Sequence, residues 1–151
     1  MADPEQVTST IIVKADIGRA YSAWENFENF PAFMEDIQSV ENRGNGVSHW
    51  KMKGPLGVMI EWDAEMTRNE PNKRIAWNSK DNENSDLTTS GQVLFTALPD
   101  NETQVMVTLQ YKPKLGLAGD VVDKLFNNPE KRLDRDLKKF KEYVERGGRV
   151  A

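Results

Sequence analysis

The 151-residue sequence contains no cysteine and one histidine. The lack of cysteine excludes disulfide bonds, cysteine nucleophiles, iron–sulfur clusters and zinc sites with thiolate ligands. A single histidine argues against a histidine-rich metal site. We therefore expect the protein to use neither a metal ion nor another cofactor.

Long hydrophobic runs are absent as well. Hydrophobic residues make up 38% of the chain and the mean hydropathy is −0.67. This is enough apolar material for a hydrophobic core, but a membrane span is not expected. Residues 1–6 carry acidic side chains where a signal peptide needs a basic region, and no apolar run follows them. The sequence thus predicts a cytoplasmic protein.

Basic residues are fewer than acidic residues. Lys and Arg total 20 against 24 Asp and Glu, giving a net charge of −4, which argues against nucleic acid as a partner. Neither a phosphate-binding glycine loop nor a Gly-x-Ser-x-Gly elbow occurs, and no repeat of 20 to 50 residues is present. The length suits one compact domain, which we place at residues 1–151 with a core at about 7–147.

The first part of the chain has a strand followed by helical spacing. Residues 7–14 are rich in β-branched side chains, which predicts a strand. Asp16 can cap a following helix, and a second short helix is predicted around Pro31 to Met34 with Pro31 in its first turn. The apolar residues with the spacing of one buried helical face are Ile17, Ala20, Tyr21, Trp24 and Phe27.

From residue 37 the period changes to two, as in antiparallel strands with one face in water. Glycine, asparagine and proline clusters separate the strands, so short turns and a meander are predicted. The alternating sets are Val58, Ile60, Trp62, Ala64 and Met66; Ile75, Trp77 and Ser79; Thr89, Gly91, Val93, Phe95 and Ala97; and Val105, Val107, Leu109 and Tyr111.

After Pro113 the period is helical again, and the residues with the spacing of one apolar helical face include Leu133, Leu137, Phe140 and Val144. Pro129 interrupts this region, so either a helix restarts there or one long helix kinks there. The order of elements predicts an α+β fold: a strand, two short helices, six antiparallel strands and a long C-terminal helix. A curved seven-stranded antiparallel sheet around that helix leaves a tapered space that can hold a ligand.

Several segments carry a family resemblance over nearly the whole chain: Phe27-Glu28-Asn29-Phe30-Pro31-Ala32-Phe33-Met34, His49-Trp50, Pro55-Leu56-Gly57, Glu61-Trp62-Asp63-Ala64-Glu65, Arg74-Ile75-Ala76-Trp77, Ser90-Gly91, Asp136-Leu137, Phe140-Lys141 and Val144-Glu145. The sequence resembles the polyketide cyclase/dehydrase and coenzyme Q-binding branch of the START-like (SRPBCC, helix-grip, birch-pollen-allergen-like) superfamily. The resemblance implies a helix-grip fold with a hydrophobic cavity. It implies function less sharply, because the superfamily includes lipid and isoprenoid carriers as well as aromatase/cyclases.

The leading hypothesis is a binding protein for a hydrophobic small molecule such as a lipid, an isoprenoid quinone or a polyketide-like aromatic. An alternative is a polyketide cyclase or dehydratase that uses Ser79, Tyr111 and, if its strand is rotated, Arg74. A third is an interaction module with a filled core. The residues expected to line the ligand cavity are Met52, Trp62, Trp77, Phe95, Tyr111, Leu125, Phe126 and Leu133.

Charged residues outside this set have simpler interpretations. His49 alternates with Trp50, which favours the water face over a catalytic role. The carboxylates Glu61, Asp63 and Glu65 have the spacing of a solvated strand face rather than of a metal site. Residues 130–149 hold eight basic and five acidic side chains. That excess indicates either the wet side of an amphipathic helix or a transient contact with an anionic membrane surface.

Overall fold

The computed structural model describes residues 5–54, 57–80, 87–113 and 129–146. The strands are β1 Glu5–Val13, β2 Ile37–Gly44, β3 Val47–Lys53, β4 Met59–Glu70, β5 Arg74–Ser79, β6 Leu87–Leu98 and β7 Glu102–Pro113. The helices are α1 Ile17–Glu25 and α2 Pro129–Glu145, with a 3₁₀ helix at Phe27–Ala32 and a 3₁₀ turn at Pro99–Asn101.

All seven strands form one antiparallel sheet in the order β1-β7-β6-β5-β4-β3-β2. Strands β2 to β7 follow one another as neighbours, which confirms the predicted meander. Strand β1 pairs with the last strand, with Ile11 opposite Val105. The N-terminal strand therefore depends for its partner on a strand about 90 residues later in the chain.

The tight turns use the residues that tolerate a left-handed backbone. Gly44, Asn45 and Gly46, between β2 and β3, have φ values of 85°, 55° and 77°. Asn72 has φ 61° in the turn between β4 and β5, and Asp100 has φ 63° before β7. Glycine, asparagine and aspartate are the residues for which such angles cost least, so these positions fix the hairpins.

The short helices differ in one respect from the prediction. Asp16 caps α1 as expected, because its carboxylate accepts a hydrogen bond from the Arg19 N–H at 2.9 Å. The second helix begins earlier than predicted, at Phe27, with Asn26 as its cap, and Pro31 lies in its last turn. Its three-residue repeat lets Phe27 and Phe30 both reach the core, and this rather than Pro31 sets its start.

Helix α2 covers the sheet with the predicted apolar face. Its fully buried side chains are Leu133, Leu137, Phe140 and Val144. It is tied to β1 by a hydrogen bond from Ser9 to Asp134, and the Lys14 N–H donates to Glu145 at 2.7 Å. Residues 114–128 lie outside the described part of the chain, as does the choice between a kink and a restart at Pro129.

The fold is α+β, with the helices packed against one face of the sheet. Helix α1 and the 3₁₀ helix fill one end of that face, and α2 lies along β1. In the described ranges, no helix combines the length and the apolar character needed to cross a bilayer.

Candidate functional site

On strands β5 and β7, side chains of the inner face are more exposed at one end of the sheet than at the other. In β5, Ile75 is fully buried, Trp77 is 6% exposed and Ser79 is half-buried. Strand β7 repeats this, because Val105 is fully buried and Leu109 is only half-buried. The inner side chains of β5 and β7 therefore become more exposed towards the end of the sheet where β5 leads into β6. That end is the candidate binding site.

Aromatic rings on the inner face form a contiguous cluster that extends to this site. Phe27 lies centrally, with ring centroids 5.5 Å from Trp50 and 5.7 Å from Trp77. Trp50 stacks on Trp62 at 5.8 Å and 14°, as expected for directly paired residues of β3 and β4. Rigid rings such as these provide the apolar walls that small-molecule sites use.

Trp77 keeps its position because its neighbour has no side chain. Gly91 lies opposite Trp77 in β6, and a Cβ atom there would lie 2.5 Å from Cζ2 of the indole. The same Cβ would lie 2.9 Å from Cδ2 of Leu109. The indole therefore lies directly over the Gly91 backbone, which is a close approach that only glycine permits.

Five of the predicted lining residues can be placed in the structure. Trp62, Trp77 and Phe95 are on the inner face and 6–7% exposed, and Met52 is half-buried beside them. Leu133 is on α2 and fully buried, so it is packed between helix and sheet. For Tyr111 only the backbone, in β7, is described; Leu125 and Phe126 lie outside the described residues.

Trp50 and Phe27 belong to the aromatic cluster of the inner face but are not among the predicted lining residues. The indole of Trp50 is oriented by a hydrogen bond from Nε1 to the Ser48 Oγ at 2.8 Å. Its alternation with Met52 was the sequence signal that places it on the inner face. The sequence pattern places Phe27 on a buried helical face, but periodicity does not show which strands its ring will contact.

The buried polar side chains of the described residues are three hydroxyls: Ser48, Thr89 and Thr103. At the less covered end, the Thr89 N–H donates to the Ser79 Oγ at 2.9 Å. Thr103 donates to the Ala15 carbonyl at 2.8 Å. Hydroxyl groups donate and accept hydrogen bonds but do not titrate near neutral pH, so they orient a ligand more readily than they act as acids or bases.

Arg74 lies outside this interior. It alternates with Ile75, which points inward, and its Nε donates to Glu70 at 3.1 Å on the outer face. The strand rotation that would bring Arg74 into the cavity is therefore not observed.

His49 lies on the outer face, as its register predicted, but it is only 11% exposed there. Its Nδ1 is 2.6 Å from Asp63 and its Nε2 is 2.8 Å from Glu61. Burial acts to lower the pKa of His49, but the hydrogen bonds to Glu61 and Asp63 outweigh it and raise the pKa above the ordinary value. Among the described residues, no group of three or more histidine or acidic side chains is arranged to hold a metal ion.

Comparison with known proteins agrees with this architecture. The family model described as "Polyketide cyclase / dehydrase and lipid transport" matches residues 13–138. The chain belongs to this family. The family description covers both cyclase or dehydrase chemistry and lipid transport.

Individual relatives extend across almost the full length of the chain. An uncharacterized 17.2 kDa protein of Streptomyces lincolnensis is 33% identical over 143 residues, which cover 95% of this chain and 91% of the relative. A crystal structure from Deinococcus radiodurans is 31% identical, has a TM-score of 0.74 and covers 95% of this chain and 98% of its own.

Solved structures of lower sequence identity share the fold. The ZhuI aromatase/cyclase from Streptomyces sp. R1128 has a TM-score of 0.77 at 18% identity, covering 98% of both chains. A START superfamily protein from Mycobacterium smegmatis has a TM-score of 0.73 at 19% identity, covering 93% of this chain and 97% of its own. The START-like, helix-grip architecture inferred from the sequence is therefore confirmed.

Proposed function

We propose that this protein binds a hydrophobic small molecule, such as a lipid, an isoprenoid quinone or a polyketide-like aromatic, between the sheet and the segment that contains α2. The observation that carries this proposal is the contrast between the two ends of the inner face. On β5 and β7, Ile75 and Val105 are fully buried at one end, whereas Ser79 and Leu109 remain half-buried towards the other.

Burial of apolar surface is the expected source of affinity, at about 25 cal/mol for each Å² removed from water. The aromatic rings of Trp62 and Trp77 supply flat, rigid contact surface, and the hydroxyls of Ser79 and Thr89 are close enough to one end to fix the orientation of a polar group. Binding ranks above cyclase activity because the described buried polar groups are hydroxyls, without an acid–base pair.

The direct test is to purify the protein without added ligand, extract it with organic solvent and identify what is released by mass spectrometry. We expect a stoichiometric hydrophobic compound. In parallel, a quinone and a fatty acid are titrated into extracted protein, and quenching of tryptophan fluorescence is measured. The absence of both released compound and quenching would contradict the proposal and favour a filled core.

Two methionine substitutions make the test specific to the inner face. Met52→Gln replaces a half-buried inner side chain with a polar one of similar length, and we expect binding to weaken by roughly tenfold. Met59→Gln makes the same change at a side chain that is 40% exposed on the other face, and binding should be unchanged. Equal effects of the two substitutions would place the ligand elsewhere.

A further inference from the structure

A cavity lies at one edge of the inner face, between the end of α1, the β2–β3 hairpin and β4. Its volume is about 410 Å³, within the range of small-molecule sites. Its apolar lining comes from Phe27, Val40, Val47 and Met66. The ring of Phe27 also packs against Trp50 and Trp77, so Phe27 belongs both to the lining of this cavity and to the aromatic cluster.

The charge of this cavity has one sign. Glu25 and Glu28 lie in its lining, and the described lining residues include no lysine, arginine or histidine. Two carboxylates at the edge of an apolar cavity create a negative potential that attracts cations and repels anions. The cavity is therefore complementary to a molecule that has both a positive group and an apolar part.

Both carboxylates are held in place by neighbouring groups. The Asn69 Nδ2 donates to Glu25 at 2.9 Å, and the Tyr21 hydroxyl donates to Glu25 at 2.7 Å. These hydrogen bonds lower the pKa of Glu25, so that it stays ionised near neutral pH. The Asn42 N–H donates to Glu28 at 3.2 Å, which fixes this carboxylate beside the hairpin.

We infer that this cavity is a second binding site, for an organic cation with an ammonium group joined to a short apolar body. The ammonium group would pair with the carboxylates of Glu25 and Glu28, and the apolar body would cover Val47 and Met66. Charge-assisted hydrogen bonds are the strong class, so removal of one carboxylate should be measurable. This site is separate from the proposed hydrophobic-ligand site, and either can exist without the other.

The test uses three six-carbon probes that differ in their polar group: hexylammonium, hexanol and hexanoate. Each is titrated into ¹⁵N-labelled protein while amide resonances are followed by NMR. We expect hexylammonium to give saturable shifts in residues 42–48 and to bind at least roughly tenfold more tightly than the other two. Equal binding of hexanol, or shifts confined to β5 and β6, would overturn the inference.

Matched variants identify the carboxylate that is responsible. Glu28→Gln keeps an acceptor for the Asn42 N–H and should weaken hexylammonium binding by roughly tenfold. Glu41→Gln removes the same charge from an exposed position on β2 that pairs with Arg43, and binding should not change. Equal losses in the two variants would show general attraction to an acidic protein and overturn the site.

A third variant keeps the test decisive if Glu28→Gln fails to fold. Val47→Lys introduces an ammonium group at the edge of the cavity, and this internal cation should compete with hexylammonium and abolish its binding. Quenching of tryptophan fluorescence by a quinone should be unaffected in the same variant, because Val47 is not among the residues proposed to contact the hydrophobic ligand. Unchanged hexylammonium binding in Val47→Lys would contradict the proposed location.

Discussion

His49 shows how a residue on a solvated strand face can still be constrained. Asp63 is its direct partner in the β3–β4 register, and Glu61 is diagonal to it. When both ring nitrogens contact carboxylates, each nitrogen must carry a proton to donate, so this arrangement favours the imidazolium form. The hydrogen bond to His49 also lowers the pKa of Glu61.

The raised pKa of His49 predicts a specific dependence of stability on pH. A raised folded-state pKa means that the stabilisation is complete below about 6.5, the unfolded value, and is lost as the pH rises through the folded value. We expect His49→Gln to lower the free energy of unfolding by about 1 kcal/mol at pH 5.5 and by less at pH 9. Denaturant unfolding at the two pH values measures the difference.

NMR supplies the control for this prediction. His49 is the only histidine, so one ring resonance reports its titration without ambiguity. Asp63→Asn should shift that titration to lower pH than in the unsubstituted protein. A His49 pKa at or below the ordinary value, or a larger effect of His49→Gln at pH 9 than at pH 5.5, would contradict the bridging role.

Single residues also show where sequence-based prediction reaches its limit. The alternation of Trp62 and Trp77 with polar neighbours was sufficient to place both on the inner face. Nothing in the local pattern showed that Trp77 would lie over Gly91, because that contact depends on the register between β5 and β6. Their role in binding a ligand stays a prediction.

At the scale of elements, α2 is held to the rest of the molecule by an ion-pair cluster as well as by its apolar face. Arg135 contacts Glu35 at 3.0 Å and Asp36 at 2.9 Å, just before β2, and Lys139 contacts Glu35 at 2.5 Å. Burial raises the pKa of Asp136 to about 6, although Arg135, 3.1 Å away, acts to lower it.

We expect Arg135→Ala to lower the free energy of unfolding by about 1–2 kcal/mol at pH 7.5, because it leaves three neighbouring carboxylates without this cation. The loss should be smaller at pH 4, because burial raises the pKa of Asp136 to about 6 and this carboxylate is mostly protonated there. Thermal or denaturant unfolding at the two pH values measures both quantities.

Arg146→Ala is the matched control for this prediction. Arg146 is more than half exposed and pairs with Glu142 within α2 itself, so its loss should cost less than about 0.5 kcal/mol. If Arg135→Ala is as mild as Arg146→Ala at pH 7.5, the cluster does not anchor the helix.

The elements themselves followed closely from local patterns. The spacing of Leu133, Leu137, Phe140 and Val144 predicted the buried face of α2, and the capping residue Asp16 marked the start of α1. The second short helix begins earlier than the position of Pro31 predicts, because Asn26 is its cap and Pro31 lies in its last turn. Asparagine is common both at helix N-caps and in turns, so Asn26 alone does not mark the start of a helix.

At the scale of the whole molecule, the charge of α2 bears on contact with membranes. The predicted transient contact with an anionic surface stays a prediction. Several basic side chains of the helix, including Arg135 and Lys141, pair with carboxylates of the protein, which reduces their outward field. Lys131 and Lys138 are exposed, and they are the positions at which such a contact can be tested.

We expect weak cosedimentation with vesicles that contain anionic phosphatidylserine, and none with neutral phosphatidylcholine vesicles. The double variant Lys131→Glu/Lys138→Glu should abolish this cosedimentation. The double variant Lys51→Glu/Lys53→Glu, which reverses the charge at two exposed positions on β3, should retain it. No binding by the unsubstituted protein, or equal losses in both variants, would rule out contact through the helix.

The amino-acid sequence by itself determined the order of the elements, the α+β class and the inner faces of β4 to β7, because periods of two and 3.6 residues express which side chains avoid water. Only the tertiary structure decided that β1 pairs with β7, that Asp63 and Glu61 enclose His49, and that Phe27 packs against both Trp50 and Trp77. These features join residues distant in the chain, and their geometry depends on strand register and packing, which local periodicity does not specify.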